Sequence, residues 1–200
     1  MIGANQSMSI RCMRADNSLS DRQLQQIAGL IYDTDPHIYP AMFKDRQEAE
    51  MILPRMIRSE DQMFRTDNLF IALDGHKIIG VLLWKRGPMQ WNTAVYKKCG
   101  GNAEYIARVV QEYFNLFAET AASTASIVRI GVQKDMRGNH TGRLLMETFM
   151  REEPGPYELY VLMKNTDAIR FFEGMGFSIR ETRPGFSLDY SEYPCFWMIR

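Results

Sequence analysis

The segment from Ser126 to Met163 limits what this chain can fold into more than any other. Ser126–Val132 is a short apolar, β-branched run suited to a buried strand, and Tyr157–Met163 is a second. Between them, Gly142–Arg151 carries Leu144, Leu145, Thr148 and Phe149 at helical offsets. Strand, helix and strand at this spacing form a crossover with the two strands parallel, and such units bind ligands beyond the carboxyl end of the first strand. The turn that follows Val132 passes through Arg137-Gly138 and opens the helix near Gly142, so several backbone N–H groups without helical partners converge on one spot. The helix dipole, with Arg137 and Arg143 beside it, suits a phosphate or pyrophosphate. GxGxxG and GxxxxGK are both absent, which disfavours a dinucleotide fold and a P-loop.

The rest of the chain reads as the frame around this unit. Ser9–Arg14 fits a first strand. Ser20 caps an amphipathic helix, with Leu24, Ile27, Leu30 and Ile31 inward, that ends near Tyr32 because Pro36 and Pro40 forbid continuation. Lys44–Arg58 has helical periodicity, and Pro54 inside it predicts a kink or a division. Asn68–Leu73 and Lys77–Trp84 are apolar runs joined by Asp74-Gly75-His76, a strong hairpin signal. Tyr105, Ile106, Val109, Val110, Tyr113, Phe114 and Phe117 form a wide helical stripe within a long connection, residues 85–124. Asp167–Gly174 reads as a short helix, and Phe177–Thr182 and Cys195–Arg200 as strands around a Pro-, Gly- and Ser-rich connection. The expectation is one mixed α/β domain over residues 1–200, with 85–124 inserted between hairpin and central strand.

Composition narrows the function. With 24 basic and 24 acidic side chains the formal charge is zero, which leaves no electrostatic footprint for nucleic acid or an anionic membrane. Three cysteines without a CxxC pair and three scattered histidines suggest neither a disulfide framework nor a metal site. No basic start leads into an apolar stretch at the N-terminus, and no run approaches the ~18 apolar residues of a membrane span, so a cytoplasmic location is expected.

Two blocks resemble a known family. Arg137-Gly138-Asn139-His140-Thr141-Gly142 is similar to the acetyl-coenzyme A loop of the GNAT superfamily of N-acetyltransferases, which has Arg or Gln, two residues, Gly, one residue, then Gly or Ala. Asn165-Thr166-Asp167-Ala168-Ile169-Arg170-Phe171-Phe172-Glu173-Gly174-Met175-Gly176-Phe177 resembles the family's Asn, Ala, aromatic and Gly-Phe ending. The resemblance implies a mixed, mostly antiparallel sheet flanked by helices around a β-α-β acetyl-coenzyme A core. It implies direct transfer of an acetyl group to a primary amine in a ternary complex, through a tetrahedral intermediate. The backbone at Ile130 and Val132 would hold the pantetheine arm, the amides of Arg137, Gly138, Asn139, His140, Thr141 and Gly142 the pyrophosphate, and Asn165 would sit beside the cofactor with Phe172. The Val132 amide would serve as oxyanion donor. The acceptor would be a small-molecule or peptide amine, and a homodimer is left open.

Two positions depart from the family's pattern. His140 replaces the central loop glycine, so either its backbone φ is negative or the loop approaches the phosphates less closely. Phe172 replaces the usual Tyr and cannot protonate a departing thiolate. Water or another Tyr then serves, or turnover is slow, or the chain is a non-catalytic domain that binds or senses acyl-coenzyme A. An amine of unperturbed pKa ~10.4 also needs a proton acceptor. Ser126–Val132 contains no carboxylate, which points to Asp35, His37 and Tyr39 in the cluster Tyr32–Pro40, with Glu104 a weaker candidate. The alternative for each of the three is an Asp-Pro turn with Tyr39 packed as core. Trp91 and Tyr96 could stack on a ligand or on a second subunit, or simply pack.

Overall fold

The computed structural model describes residues 10–59, 64–89, 111, 115–188 and 191–200. In chain order its elements are β1 (Arg11–Arg14), α1 (Asp21–Tyr32), α2 (Ile38–Met42), α3 (Arg46–Ile57), β2 (Leu69–Asp74), β3 (Lys77–Arg86), β4 (Ala125–Val132), α4 (Thr141–Glu152), β5 (Tyr157–Leu162), α5 (Thr166–Gly174), β6 (Ser178–Leu188) and β7 (Ser191–Ile199). Seven strands form one sheet in the order β1-β2-β3-β4-β5-β7-β6. β4 and β5 are parallel, with α4 as their connection, and the other neighbouring pairs are antiparallel. The mixed sheet and its crossover follow the expectation from the sequence.

Period-two alternation along the strands divides the core into two layers. Ile71, Val81 and Leu83 face α1, α2 and α3, where Ile27, Ile31, Tyr39, Leu53 and Met56 are buried. Phe70, Leu82, Ile127 and Leu159 face the opposite layer, made by Leu145, Met146 and Phe149 of α4 and Phe172 of α5. Phe149 anchors that layer, with ring centroids 5.5 Å from Phe70 and 5.4 Å from Trp84. Gly131 lets α1 lie close on β4, because a Cβ there would stand 3.0 Å from the Leu30 carbonyl oxygen and 2.9 Å from Thr34 Cγ2.

Local signals set most boundaries. Ser20 and Gln23 close a capping box at the start of α1. The β2–β3 hairpin turns at Gly75-His76, with Gly75 at φ 59°, and pairs Asp74 with Lys77. Of the kink or division expected at Pro54, the division does not occur, and α3 runs unbroken from Arg46 to Ile57. The proline removes only the N–H that would reach Glu50, and the last turn still closes through Arg58 N–H to the Pro54 carbonyl at 3.1 Å. α2 was not foreseen either: Pro40 lies in its first turn, where a helix needs no N–H donor. The Pro- and Gly-containing stretch near the C-terminus is strand rather than connection, since β6 and β7 pair from Ser178↔Ile199 to Leu188↔Ser191 around a register shift between Arg183 and Phe186. Gly185 takes φ 76° at that shift. The helical stripe from Tyr105 to Phe114, with Trp91, Tyr96 and Glu104, lies outside the described residues. Phe117 is buried in a turn, edge-on to Tyr160 at 4.8 Å.

Replacing Phe149 by Ala is expected to cost about 3–5 kcal/mol of stability in urea unfolding, the usual range for a buried aromatic ring; a loss under 1 kcal/mol would contradict the packing described. Burial also raises the pKa of the thiols Cys12 and Cys195 from 9.0 to about 11, and of the Tyr160 phenol to about 12. The native state therefore holds these protons more tightly than the unfolded chain does. Their contribution to stability is full below the ordinary thiol value and declines as pH rises from 9.0 towards about 11. Thermal midpoints across that window should fall, and a flat profile would refute it.

Candidate functional site

The site grows from one irregularity in β4. Pairing with β3 runs from Gly80↔Val132 to Leu83↔Arg129 and then steps to Trp84↔Ile127, which places a β-bulge at Val128. The bulge breaks the alternation of faces. Val128 packs into the α1–α3 layer, and the next side chain, Arg129, turns the same way towards Asp35. On its other edge β4 pairs with β5 only from Ala125↔Tyr157 to Ile127↔Leu159. Beyond that point the two strands part and leave a wedge. Gln133 N–H donates to the Ile79 carbonyl at 2.8 Å, so alternation along an antiparallel ladder turns the backbone groups of Ile130 and Val132 away from β3, into the wedge.

The turn after β4 closes the wedge at one end. A 3₁₀ turn at Lys134–Met136 leads to Arg137, and Arg137 Nε donates to the Val132 carbonyl at 3.0 Å. Gly138 has φ 80° and His140 φ 59°. Two left-handed residues in such a short stretch curl the amides inward in front of α4, and concavities of this kind hold anions. His140 was expected either to keep a negative φ or to loosen the loop, and the first alternative does not form. Histidine is among the non-glycine residues that enter this region, and His140 is exposed. The cost is about 1–2 kcal/mol.

The residues assigned to the cofactor from sequence come together. All except Asn139 line one cleft of ≈ 690 Å³, joined by Arg143, Leu30 and Phe171. Asn139 is exposed in the same loop. Asn165 also caps α5, its Oδ1 accepting from Ala168 N–H at 3.2 Å. Phe172 is buried edge-on against Phe171 and Phe177, 5.3 and 5.7 Å between centroids, and lines both the cleft and a smaller inner pocket of ≈ 90 Å³.

The acceptor-side candidates separate. Asp35 lines the inner pocket, its Oδ1 accepting from the N–H groups of His37 and Ile38 at 2.9 Å each and its Oδ2 standing 3.6 Å from the Arg129 guanidinium. Tyr39 lies beneath Arg129, 5.4 Å from ring to guanidinium, and is 3% exposed. Its burial raises the phenol pKa, against the opposing pull of Arg129. His37 packs against Tyr193 with the rings tilted by 43° and 4.4 Å between centroids, and it does not line the inner pocket. Arg129, Tyr160 and Cys195 also line that pocket and were not singled out from sequence. Arg129 carried a signal, a charge in the middle of the apolar run Ala125–Val132. Among the described residues no His, Cys, Asp and Glu cluster could hold a metal ion, and no helix is long and apolar enough to cross a membrane.

The comparisons agree with this geometry. The sequence matches the Acetyltransferase (GNAT) family over residues 31–177. No curated protein matches it. The fold is similar to that of an N-acetyltransferase from Staphylococcus aureus Mu50, with a TM-score of 0.70 at 13% identity over 95% of this chain and 100% of that one. It is also similar to the ribosomal-protein-S18-alanine N-acetyltransferase from Escherichia coli, at 0.55 and 12% identity over 95% and 92% of the two chains. A chain of the NatC complex bound to Gag peptide and CoA gives 0.57 at 17% identity, over 96% and 98%. At these identities the likeness is one of fold. The family match takes in the wedge, the curled loop and α5, and the chain belongs to the GNAT family of acetyltransferases.

Proposed function

We propose that this acetyltransferase moves the acetyl group of acetyl-coenzyme A directly onto a primary amine. The observation that carries this reading is the single cleft that joins the curled loop before α4 to the open edge of β4. The residues present fit the cofactor. Amides and the Arg137 and Arg143 side chains suit a pyrophosphate, and the wedge-facing backbone of Ile130 and Val132 suits the amide-bearing arm. Bound there, the cofactor supplies an activated acyl carbon. Three solved neighbours of this fold carry CoA or a bisubstrate analogue in their descriptions, including the NatC complex.

The chain's own residues position, exclude water and handle protons. Phe172, Ile130 and Leu159 keep the wedge floor apolar, which strengthens every polar contact made in it. A C–N bond replaces the C–S bond, the nitrogen sheds two protons, one before attack and one after, and coenzyme A leaves as a thiolate that takes its proton from water. Asp35 is the acceptor-side group that reaches the inner pocket, and we assign it the orientation of the amine and the acceptance of its proton through water. Tyr39 and His37 act through it, by holding Arg129 and the α1–α2 turn. A second reading, acyl-coenzyme A binding without turnover, is favoured by Phe172, which offers no proton to sulfur.

Coenzyme A at one hundred times its Kd should stabilise the protein by about 2.7 kcal/mol, seen as a raised thermal midpoint. No shift at millimolar ligand would remove both readings. Gly142→Val should weaken binding at least tenfold, because even a Cβ at Gly142 would lie 3.4 Å from the Phe171 ring at the cleft wall; unchanged affinity would mean the phosphates lie elsewhere. With acetyl-coenzyme A and a panel of amines, release of free thiol that depends on one amine supports transfer, and binding with no release supports the second reading. Asp35→Asn should lower turnover at least tenfold with coenzyme A affinity retained, whereas Tyr39→Phe should change it little. Equal turnover in Asp35→Asn and the parent protein would remove the role given to Asp35.

A further inference from the structure

The loop ahead of α4 holds a histidine where the backbone favours glycine. His140, at φ 59°, is the single non-glycine residue at positive φ among the described residues, two positions after Gly138 at φ 80°. Strain of this kind gathers at ligand clamps, where the ligand contact offsets it. His140 is the cap residue of α4, yet its side chain makes no capping hydrogen bond, a task that Asn, Asp or Ser performs better. Among the described residues its imidazole has no hydrogen-bond, ion-pair or ring partner. His140 lines the cleft assigned to the cofactor, together with Arg137, Gly138 and Arg143.

The two arginines of that cleft are tethered. Arg137 Nε donates to the Val132 carbonyl at 3.0 Å, and Arg143 reaches the Gly174 carbonyl at 3.3 Å and Glu147 at 3.8 Å. The His140 ring has no such bond to give up. The other charged groups of the cleft are Asp33, which follows α1 and pairs with Arg46, and Asp167 of α5, which pairs with Arg170 at 3.8 Å. The turn before the loop adds Lys134 and Asp135. Of these side-chain types, only imidazole ordinarily changes its charge between pH 5 and 8.

We propose that the His140 side chain is a ligand to the diphosphate of coenzyme A and binds it as the imidazolium, so that cofactor binding takes up a proton. This rests on the cofactor reading above and adds a contact that a glycine at this position could not make. A diphosphate diester keeps two negative charges throughout the neutral range and brings them to the amide-lined turn at the positive end of α4. The proton passes from solvent to a ring nitrogen, and no other bond changes. A charge-assisted N–H to O⁻ bond is roughly twice as strong as a neutral one, which offsets the conformational cost of the left-handed histidine. Affinity is then highest where the ring is already charged and falls as pH rises through the imidazole range.

The test is calorimetric titration with 3′-dephospho-coenzyme A, because the 3′-phosphate of coenzyme A itself titrates near ~6 and would obscure the slope. Binding should be about threefold tighter or more at about pH 5.5 than at about pH 8, and titrations near pH 7 in buffers of different ionisation enthalpy should show uptake of about 0.3 proton per ligand. His140→Asn keeps a residue suited to left-handed backbone while removing the charge, and it should abolish both the slope and the proton uptake. His140→Gly should do the same. A slope that survives either substitution would assign the titration to another group, Asp33 or Asp167 first, and would overturn the proposal. Equal affinity across the range, no proton uptake by the parent protein, or binding of coenzyme A without binding of its dephospho form would each overturn it too, and would leave the cofactor reading standing. Binding of neither ligand to the parent protein overturns the cofactor reading itself.

Discussion

The parting of β4 from β5 is the constraint on which the rest of this structure depends. Backbone N–H and C=O groups must be paired or solvated, so a central strand that gives up one edge beyond Ile127 leaves a row of groups suited to a ligand with amides of its own. The bulge at Val128 accompanies the separation and turns Arg129 across the sheet. From there the guanidinium reaches Asp35 and covers Tyr39, tying the α1–α2 turn to the same wedge. One extra residue in a ladder thus couples the cofactor edge to the wall of the acceptor side.

The two faces of the sheet carry different electrostatics, which the zero formal charge conceals. On the cofactor side, Arg137, Arg143 and the amides ahead of α4 gather positive potential at the mouth of the cleft. On the opposite face, Asp35 and Glu158 are buried carboxylates, one against Arg129 and one accepting from Thr120, Ser126 and Trp197. An anionic cofactor and an amine oriented by Asp35 would thus meet where β4 and β5 diverge. Aromatic packing supports the arrangement from below, with Phe172 closing the floor of the wedge between Phe171 and Phe177.

Much of this was legible along the chain because it rests on short-range rules. Helical and period-two spacing located α1, α4, α5 and the strands of the β-α-β unit, and the Asp74-Gly75-His76 turn located the hairpin. The turn ahead of α4, to which we assign the cofactor, was legible because backbone amides ahead of a helix need only a turn in the right place. Pro54 did not divide α3, because the rest of the helix hydrogen bonds, including Arg58 N–H to the Pro54 carbonyl, carry the chain through it. The β6–β7 hairpin was cut short because Pro184-Gly185 reads as a connection, whereas the register shift between Arg183 and Phe186 absorbs it within the strand.

The acceptor side was not legible, and the reason is distance in sequence. Asp35, Arg129, Tyr160 and Cys195 come from four separate elements and meet only in the folded sheet. Neither burial nor partner can be read from a single residue: Asp35 precedes α2 and Tyr39 lies within it, four residues on, yet of the two only Asp35 lines the inner pocket. Glu158 looks like the polar member of an alternating strand until Thr120 and Trp197, from distant segments, close around it. By itself the sequence determined the mixed α/β frame and the turn ahead of α4, since hydrophobic period and turn chemistry act between near neighbours. The tertiary structure alone decided where β4 and β5 part and which carboxylates are buried, since these depend on how remote strands are paired.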